Sequence, residues 1–367
     1  AGQVPGPIEG GGRAAGYFTS ATGVTIYDGD AWLDDDRAEI QAIVGDVGSN
    51  IIHRKRVVPN GVSCRGSRIR RRSEFIASTD IWFRPVQFCN GPDGALYVAD
   101  FYREVIEHPN SLPPVIKKHL DLTSGRDRGR IYRIVPSGFQ TPVRPLPGDA
   151  TPGALAAMLA HENGWHRRTA ARLLFERQPQ HLYEELQILA RQSTPIGKVR
   201  ALHMLQGLGQ LTAETLGVAL GDSHPRVREH AVRLAEPFLT NNRELAAKVL
   251  TLVADADSRV RFQVALSLGY RHNDEVAAAL ARLIRRDGGD QWMQAAVFSS
   301  AVDVAEPLRH QLTGNDEWPD AQVADAVLGT LGEIVDRKQH GAGEPSAELP
   351  ATRVTTAIQQ SPQKQDV

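Results

Sequence analysis

Two short stretches concentrate the groups that could do chemistry. The first is Ser78-Thr79-Asp80-Ile81-Trp82-Phe83-Arg84-Pro85, with two aromatics between an aspartate and an arginine. The second is Ala99-Asp100-Phe101-Tyr102-Arg103-Glu104. Carboxylates act as general acids, bases or hydrogen-bond anchors, and guanidinium groups grip anions in a bidentate fork. His53, in Asn50-Ile51-Ile52-His53-Arg54-Lys55, adds a side chain whose ordinary pKa lies near neutrality. Asp100, Arg103 and His53 are therefore the catalytic candidates. Arg84, Asp80 and Arg103 are the candidates for holding a cofactor. The competing structural reading makes Asp100 a turn cap, Arg84 and Arg103 braces, and His53 a packed strand residue. His108 and Asp127 are loop residues with no partner visible in the sequence.

Other clusters suggest less. Asp28, Asp30, Asp34 and Glu39 fall at positions 1, 3, 7 and 12 of a helix–loop–helix calcium loop, but Trp32 and Leu33 stand where an oxygen ligand and a glycine are required. A solvated acidic loop is the default there, and no metal ligand set is assigned. Arg65, Arg68, Arg70, Arg71 and Arg72 form a basic run. On a strand, Arg68, Arg70 and Arg72 would share one face and discourage edge pairing. Cys64 and Cys89 cannot build a disulfide scaffold. His166, His203 and His230 lack ligand spacing and read as structural. There is no phosphate loop, no H-E-x-x-H and no C-x-x-C-H, so no haem attachment motif.

The elements that must position these groups change character along the chain. Up to about residue 140, short β-branched runs alternate with turn signals, which predicts strands at 23–27, 40–47, 50–58, 68–77, 85–89, 95–99, 103–107 and 130–135. Asn90-Gly91-Pro92-Asp93-Gly94 supplies a turn. Four strands followed by four strands is the rhythm of β-propeller blades. A short helix is expected at Pro113–Leu120. A proline-rich linker spans 141–150. Beyond it, Arg168, Arg200, Arg228 and Arg261 mark amphipathic helices at steps of 32, 28 and 33 residues. That period predicts a solenoid of HEAT-like helix pairs over 151–338, each stable only when stacked. A disordered tail is expected at 339–367. The fold class expected is thus α+β multidomain, a partial β-propeller of about two blades at 1–140 followed by an α-solenoid.

Formal net charge is -1 over 367 residues, without the basic excess that nucleic-acid binding demands. No apolar run is long enough for a transmembrane segment. Two blades cannot close a propeller, which needs about four or more. The chain also begins at Ala1. Together these raise the expectation of a piece of a longer protein.

Phe75-Ile76-Ala77-Ser78-Thr79-Asp80-Ile81-Trp82-Phe83-Arg84-Pro85-Val86, Gly91–Asp100, Arg103–Pro109, Gly129–Ile134 and Asn163–Ala170 carry a resemblance. They resemble the planctomycete membrane-bound dehydrogenase or haem-binding proteins. Members look like a glucose/sorbosone-dehydrogenase-type propeller, then HEAT-like repeats, and often a c-type haem domain. The resemblance implies a quinoprotein-like dehydrogenase of sugars or aldoses, using pyrroloquinoline quinone and calcium in the intact protein, at a periplasmic or cell-surface location. The alternative is a non-catalytic propeller/HEAT scaffold whose solenoid binds a protein or polysaccharide partner.

Overall fold

The computed structural model describes residues 18, 20–32, 40–70, 72–110, 112–313, 318 and 320–340. Asp34 to Glu39 of the acidic stretch, Arg71 and the tail beyond His340 lie outside them. The chain divides into two compact units, Ala1–Pro59 with Cys64–Arg177, and Asn60–Ser63 with Gln178–Val367. The composition shift near residue 140 does not coincide with that division.

Among the described residues eight strands lie wholly or almost wholly in the first unit, β1 (Thr25–Tyr27), β2 (Ile40–Asp46), β3 (Ile51–Asn60), β4 (Ser63–Arg68), β5 (Ile76–Ala77), β6 (Pro85–Asn90), β7 (Leu96–Asp100) and β8 (Arg130–Ile134). They form two antiparallel sheets, one ordered β1-β2-β3-β4 with β5 also on β3, the other β6-β7-β8. Alternation sets the faces. Leu96, Val98 and Asp100 of β7 are buried while Tyr97 and Ala99 are half-exposed. Tyr27, Ile43, Ile52, Phe88, Leu96 and Val98 from both sheets, with Phe83 from the loop before β6, make one core. Each such side chain contributes about 1.5–3 kcal/mol by leaving water. The β6–β7 turn closes on Gly94, whose φ of 86° suits glycine, and Asp93 accepts from the Ala95 amide at 3.1 Å.

The expected four-plus-four strand pattern is therefore five and three, with two local causes. Arg103 to Glu107 form no strand. The Asp100 carboxylate takes the amides of Arg84 (2.8 Å) and Tyr102 (2.9 Å), Tyr102 turns to φ 50°, and the carbonyls of Arg103 and Glu104 are claimed by a side chain. The stretch 68–77 is likewise broken. β4 stops at Arg68, Arg72 sits at φ 61°, and Arg68 turns to Glu74 at 2.8 Å. Arg68, Arg70 and Arg72 do not share a strand face.

Two longer helices follow a one-turn helix in this unit: α1 (Pro114–Lys117), α2 (Pro152–Met158) and α3 (Gly164–Arg177). The second unit is helical: α4 (Tyr183–Gln192), α5 (Pro195–Gly207), α6 (Ala213–Ala219), α7 (Pro225–Ala235), α8 (Arg243–Thr251), α9 (Ser258–Ser267), α10 (Asp274–Asp287), α11 (Gln291–Ala301), α12 (Ala305–Leu312) and α13 (Ala321–His340). α5, α7, α9 and α11 pack side by side in one layer, and α4, α6 and α8 in another. Side chains of Thr194, Thr212, His224, Asn242, Asp257, Asn273 and Asp290 cap successive helices. Pro225 sits in the first turn of α7, where its missing N–H costs nothing. No helix among the described residues is long and apolar enough to cross a membrane.

A ladder of ion pairs staples the layers. Arg228 grips Asp255 at 2.7 and 2.8 Å and also donates to the carbonyls of Asp222 and Ser223. Arg261 repeats the device one unit on, with Asp287 at 2.7 and 2.6 Å and the carbonyls of Asp255 and Ala256. Removing one partner of such a buried pair leaves a stranded charge, which costs about 3–5 kcal/mol. Asp255→Ala should therefore lower unfolding free energy by about 3 kcal/mol in urea melts. Adding Arg228→Met should recover most of the loss. An additive double variant would refute the pairing.

Candidate functional site

Arg84, Asp80, Asp100 and Arg103 do converge, because the loop before β6 lies beside the end of β7. Arg84 is 9% exposed, and its fork is committed. Nε donates to Arg103 O at 2.9 Å, Nη1 to Val47 O at 2.7 Å and Nη2 to Glu104 O at 2.8 Å. Asn50 supports the same loop through Phe83 O (2.6 Å) and Ile81 O (3.1 Å). Asp80 accepts from the Trp82 amide (3.0 Å) and the Tyr102 hydroxyl (3.0 Å). Arg103 lies over the Phe101 ring at 4.3 Å and donates to Tyr102 O at 3.2 Å. Arg130, which the sequence did not single out, stacks on Tyr102 at 3.7 Å, its Nε 3.8 Å from the buried Asp100 Oδ2. In this arrangement Asp100 caps a turn and Arg84 ties three segments together.

His53 lies elsewhere, on β3, and is 4% exposed. Its Nδ1 is 2.5 Å from Oε2 of Glu74, and Oε1 of Glu74 accepts from Arg68 at 2.8 Å. Burial pushes the Glu74 carboxyl up, but the bonds from His53 and Arg68 outweigh it and hold the group below the usual carboxylate range. Glu74 lines a pocket of about 320 Å³ with Trp32, Arg54, Arg70 and Phe75. The Arg54 guanidinium lies 4.5 Å over Phe75, and Trp32 meets Phe75 edge to face at 5.9 Å. Aromatic walls and two guanidinium groups suit a small polar ligand. Sequence reasoning missed this pocket because Trp32, Arg54 and Glu74 are far apart in the chain. The only signal was Arg54 beside His53.

The acidic loop is not merely solvated. Asp30 forms a two-point pair with Arg144 at 3.0 and 2.6 Å. Asp28 meets Arg167 at 3.2 Å and Arg168 at 2.5 Å. The Gly164 amide donates to Asp28 O at 2.8 Å, and a Cβ on Gly164 would fall 1.7 Å from an Asp28 oxygen. Asn163 Nδ2 donates to Gly91 O at 3.0 Å, and His166 Nε2 to Pro92 O at 3.0 Å. So α3 docks on the loops of both sheets. Arg167, one residue before the marker read from sequence, plays the part of Arg228 and Arg261: it donates to the carbonyls of His161 and Glu162 while holding a carboxylate.

Among the described residues no three His, Cys, Asp or Glu groups gather to hold a metal ion. Arg84, one of the three candidates for holding a cofactor, already spends its fork on backbone carbonyls. Cys64 and Cys89 are both free and exposed.

Residues 7–138 match the model of a domain of unknown function (DUF7133). Residues 213–301 match HEAT repeats. No curated protein matches the chain.

If Arg84 is a tie, Arg84→Lys keeps the charge but loses the fork. Charge-assisted hydrogen bonds contribute about 1.5–3 kcal/mol each. The expected loss in a urea melt is about 3 kcal/mol. A variant as stable as the parent would restore Arg84 to the list of free, ligand-binding groups.

Proposed function

We propose that this chain is an interaction scaffold in which a stapled HEAT solenoid presents a preformed surface to a partner protein. The observation that carries this reading is the repeated pairing of Arg228 with Asp255 and Arg261 with Asp287. It fixes neighbouring repeats before any partner arrives, so binding loses little ordering entropy. The same layer leaves Leu266 on α9 and Trp292 on α11 exposed, at 37% and 41%. HEAT repeats commonly serve such interactions, and their match at 213–301 covers both residues.

Affinity capture with the full chain tests this reading. A partner held by the parent should be recovered at least about fivefold less by Leu266→Asp and Trp292→Asp, each with an unchanged melting temperature. Equal recovery by parent and variants counts against the scaffold.

The second reading is a dehydrogenase. It is supported by two antiparallel sheets that share one core, together with the resemblance of their motifs. On this reading the sheets are blades of a propeller in a longer periplasmic or cell-surface protein, which oxidises a sugar with pyrroloquinoline quinone and calcium. A dye-reduction assay of that longer protein, supplied with both cofactors and a panel of sugars, should show turnover. Absence of turnover across the panel removes the reading.

A further inference from the structure

One cluster of titratable side chains in the solenoid takes no part in the ladder. His203 on α5 and His230 on α7 meet with Nε2 and Nδ1 2.9 Å apart and rings nearly perpendicular. Both are half-buried. The charges acting on the pair are positive: Arg200 from α5, Arg226 and Arg233 from α7, and Arg259 from α9. Arg226 is tied to Glu229 and Asp257, and Arg259 to Glu229. Arg233 is exposed and pairs with no carboxylate among the described residues.

The helical spacing puts these groups in one stripe. Ile196, Arg200 and His203 recur at steps of four and three on α5, and Arg226, His230 and Arg233 at four and three on α7. Arg259 and Leu266 share a face of α9. Burial, the second imidazole and the arginines push His203 down to about 4, and burial with the arginines lowers His230 too. Gln206 bonds His203 and opposes that shift, and no carboxylate among the described residues pairs with either imidazole.

We propose that the α5–α7–α9 surface docks an acidic segment of a partner protein, one carboxylate of which sits against the His203–His230 pair and Arg233. The proposal rests on the scaffold reading and names the chemistry of its partner. An acidic peptide suits the exposed Arg233 beside the half-buried histidine pair, while exposed Ile196 on α5 and Leu266 on α9 offer apolar contacts nearby. A carboxylate beside the pair favours its protonated form, so docking takes up a proton and strengthens as pH falls. Arginines alone would bind with no such slope.

The test uses the full chain and a hexaglutamate peptide, with histidine titrations followed by NMR and binding by calorimetry. His203→Gln and His230→Gln assign the two resonances. Hexaglutamate should raise both midpoints by about one pH unit and bind about threefold tighter at pH 5.5 than at pH 7.5. Arg233→Glu should abolish binding, and His203→Gln should flatten the pH slope with the melting temperature kept. Unmoved midpoints, or a slope unchanged in His203→Gln, overturn the proposal. Equal effect from inorganic phosphate overturns the peptide assignment. A captured partner that is lost with Trp292→Asp but indifferent to Arg233→Glu and to pH leaves the scaffold standing and overturns this site alone.

Discussion

A guanidinium taken out of water must spend its five donors inside the protein. Arg84, Arg167, Arg228 and Arg261 are each constrained in this way, and the fold is arranged around how they are satisfied. Arg167, Arg228 and Arg261 each collect two carbonyls from the turn before their own helix and one carboxylate from farther away. Arg84 collects three carbonyls from two separate segments. Each arginine converts an irregular stretch of backbone into a fixed one. Lysine, with three donors on a single nitrogen and no planar fork, could not reach the same spread of acceptors.

That constraint also decides what the conspicuous polar residues are free to do. An arginine that holds its own backbone is not offered to a ligand, and a carboxylate that caps two amides is a poor proton shuttle. The chemically suggestive loops of the first unit are thus largely engaged in self-recognition. What these ties leave open are the pocket walled by Trp32 and Phe75 and the exposed Leu266 and Trp292 of the solenoid layer.

The solenoid was legible because its signals are local. Arg200, Arg228 and Arg261 recur at steps of 28 and 33 residues, cap-type residues precede the helices of Arg228 and Arg261, and Pro225 stands where a helix begins. The strands were legible where alternation was clean, as in Leu96 to Asp100. Errors arose where a distant group intervened. Nothing near Arg103 announces that Arg84 will take its carbonyl, and nothing near Arg72 announces a left-handed turn. The candidate site shows the same limit. Asp80, Arg84, Asp100 and Arg103 lie together, yet what Arg84 bonds to depends on Val47 and Glu104. The partner of His53, Glu74, sits 21 residues away in sequence.

The docking of Asp28 on α3 has a temporal side. Asp28 leaves the ribosome long before its partners, which lie 139 and 140 residues downstream, and Asp30 waits across 114 residues for Arg144. During synthesis both sheets can be complete while two acidic side chains near their core still face water without counter-ions. The nascent β-structure therefore passes through an interval in which its loops are unlocked, and the arrival of α3 ends it. The first helix pair, written in the grammar of the repeats, serves as the closing clasp of the domain that precedes them.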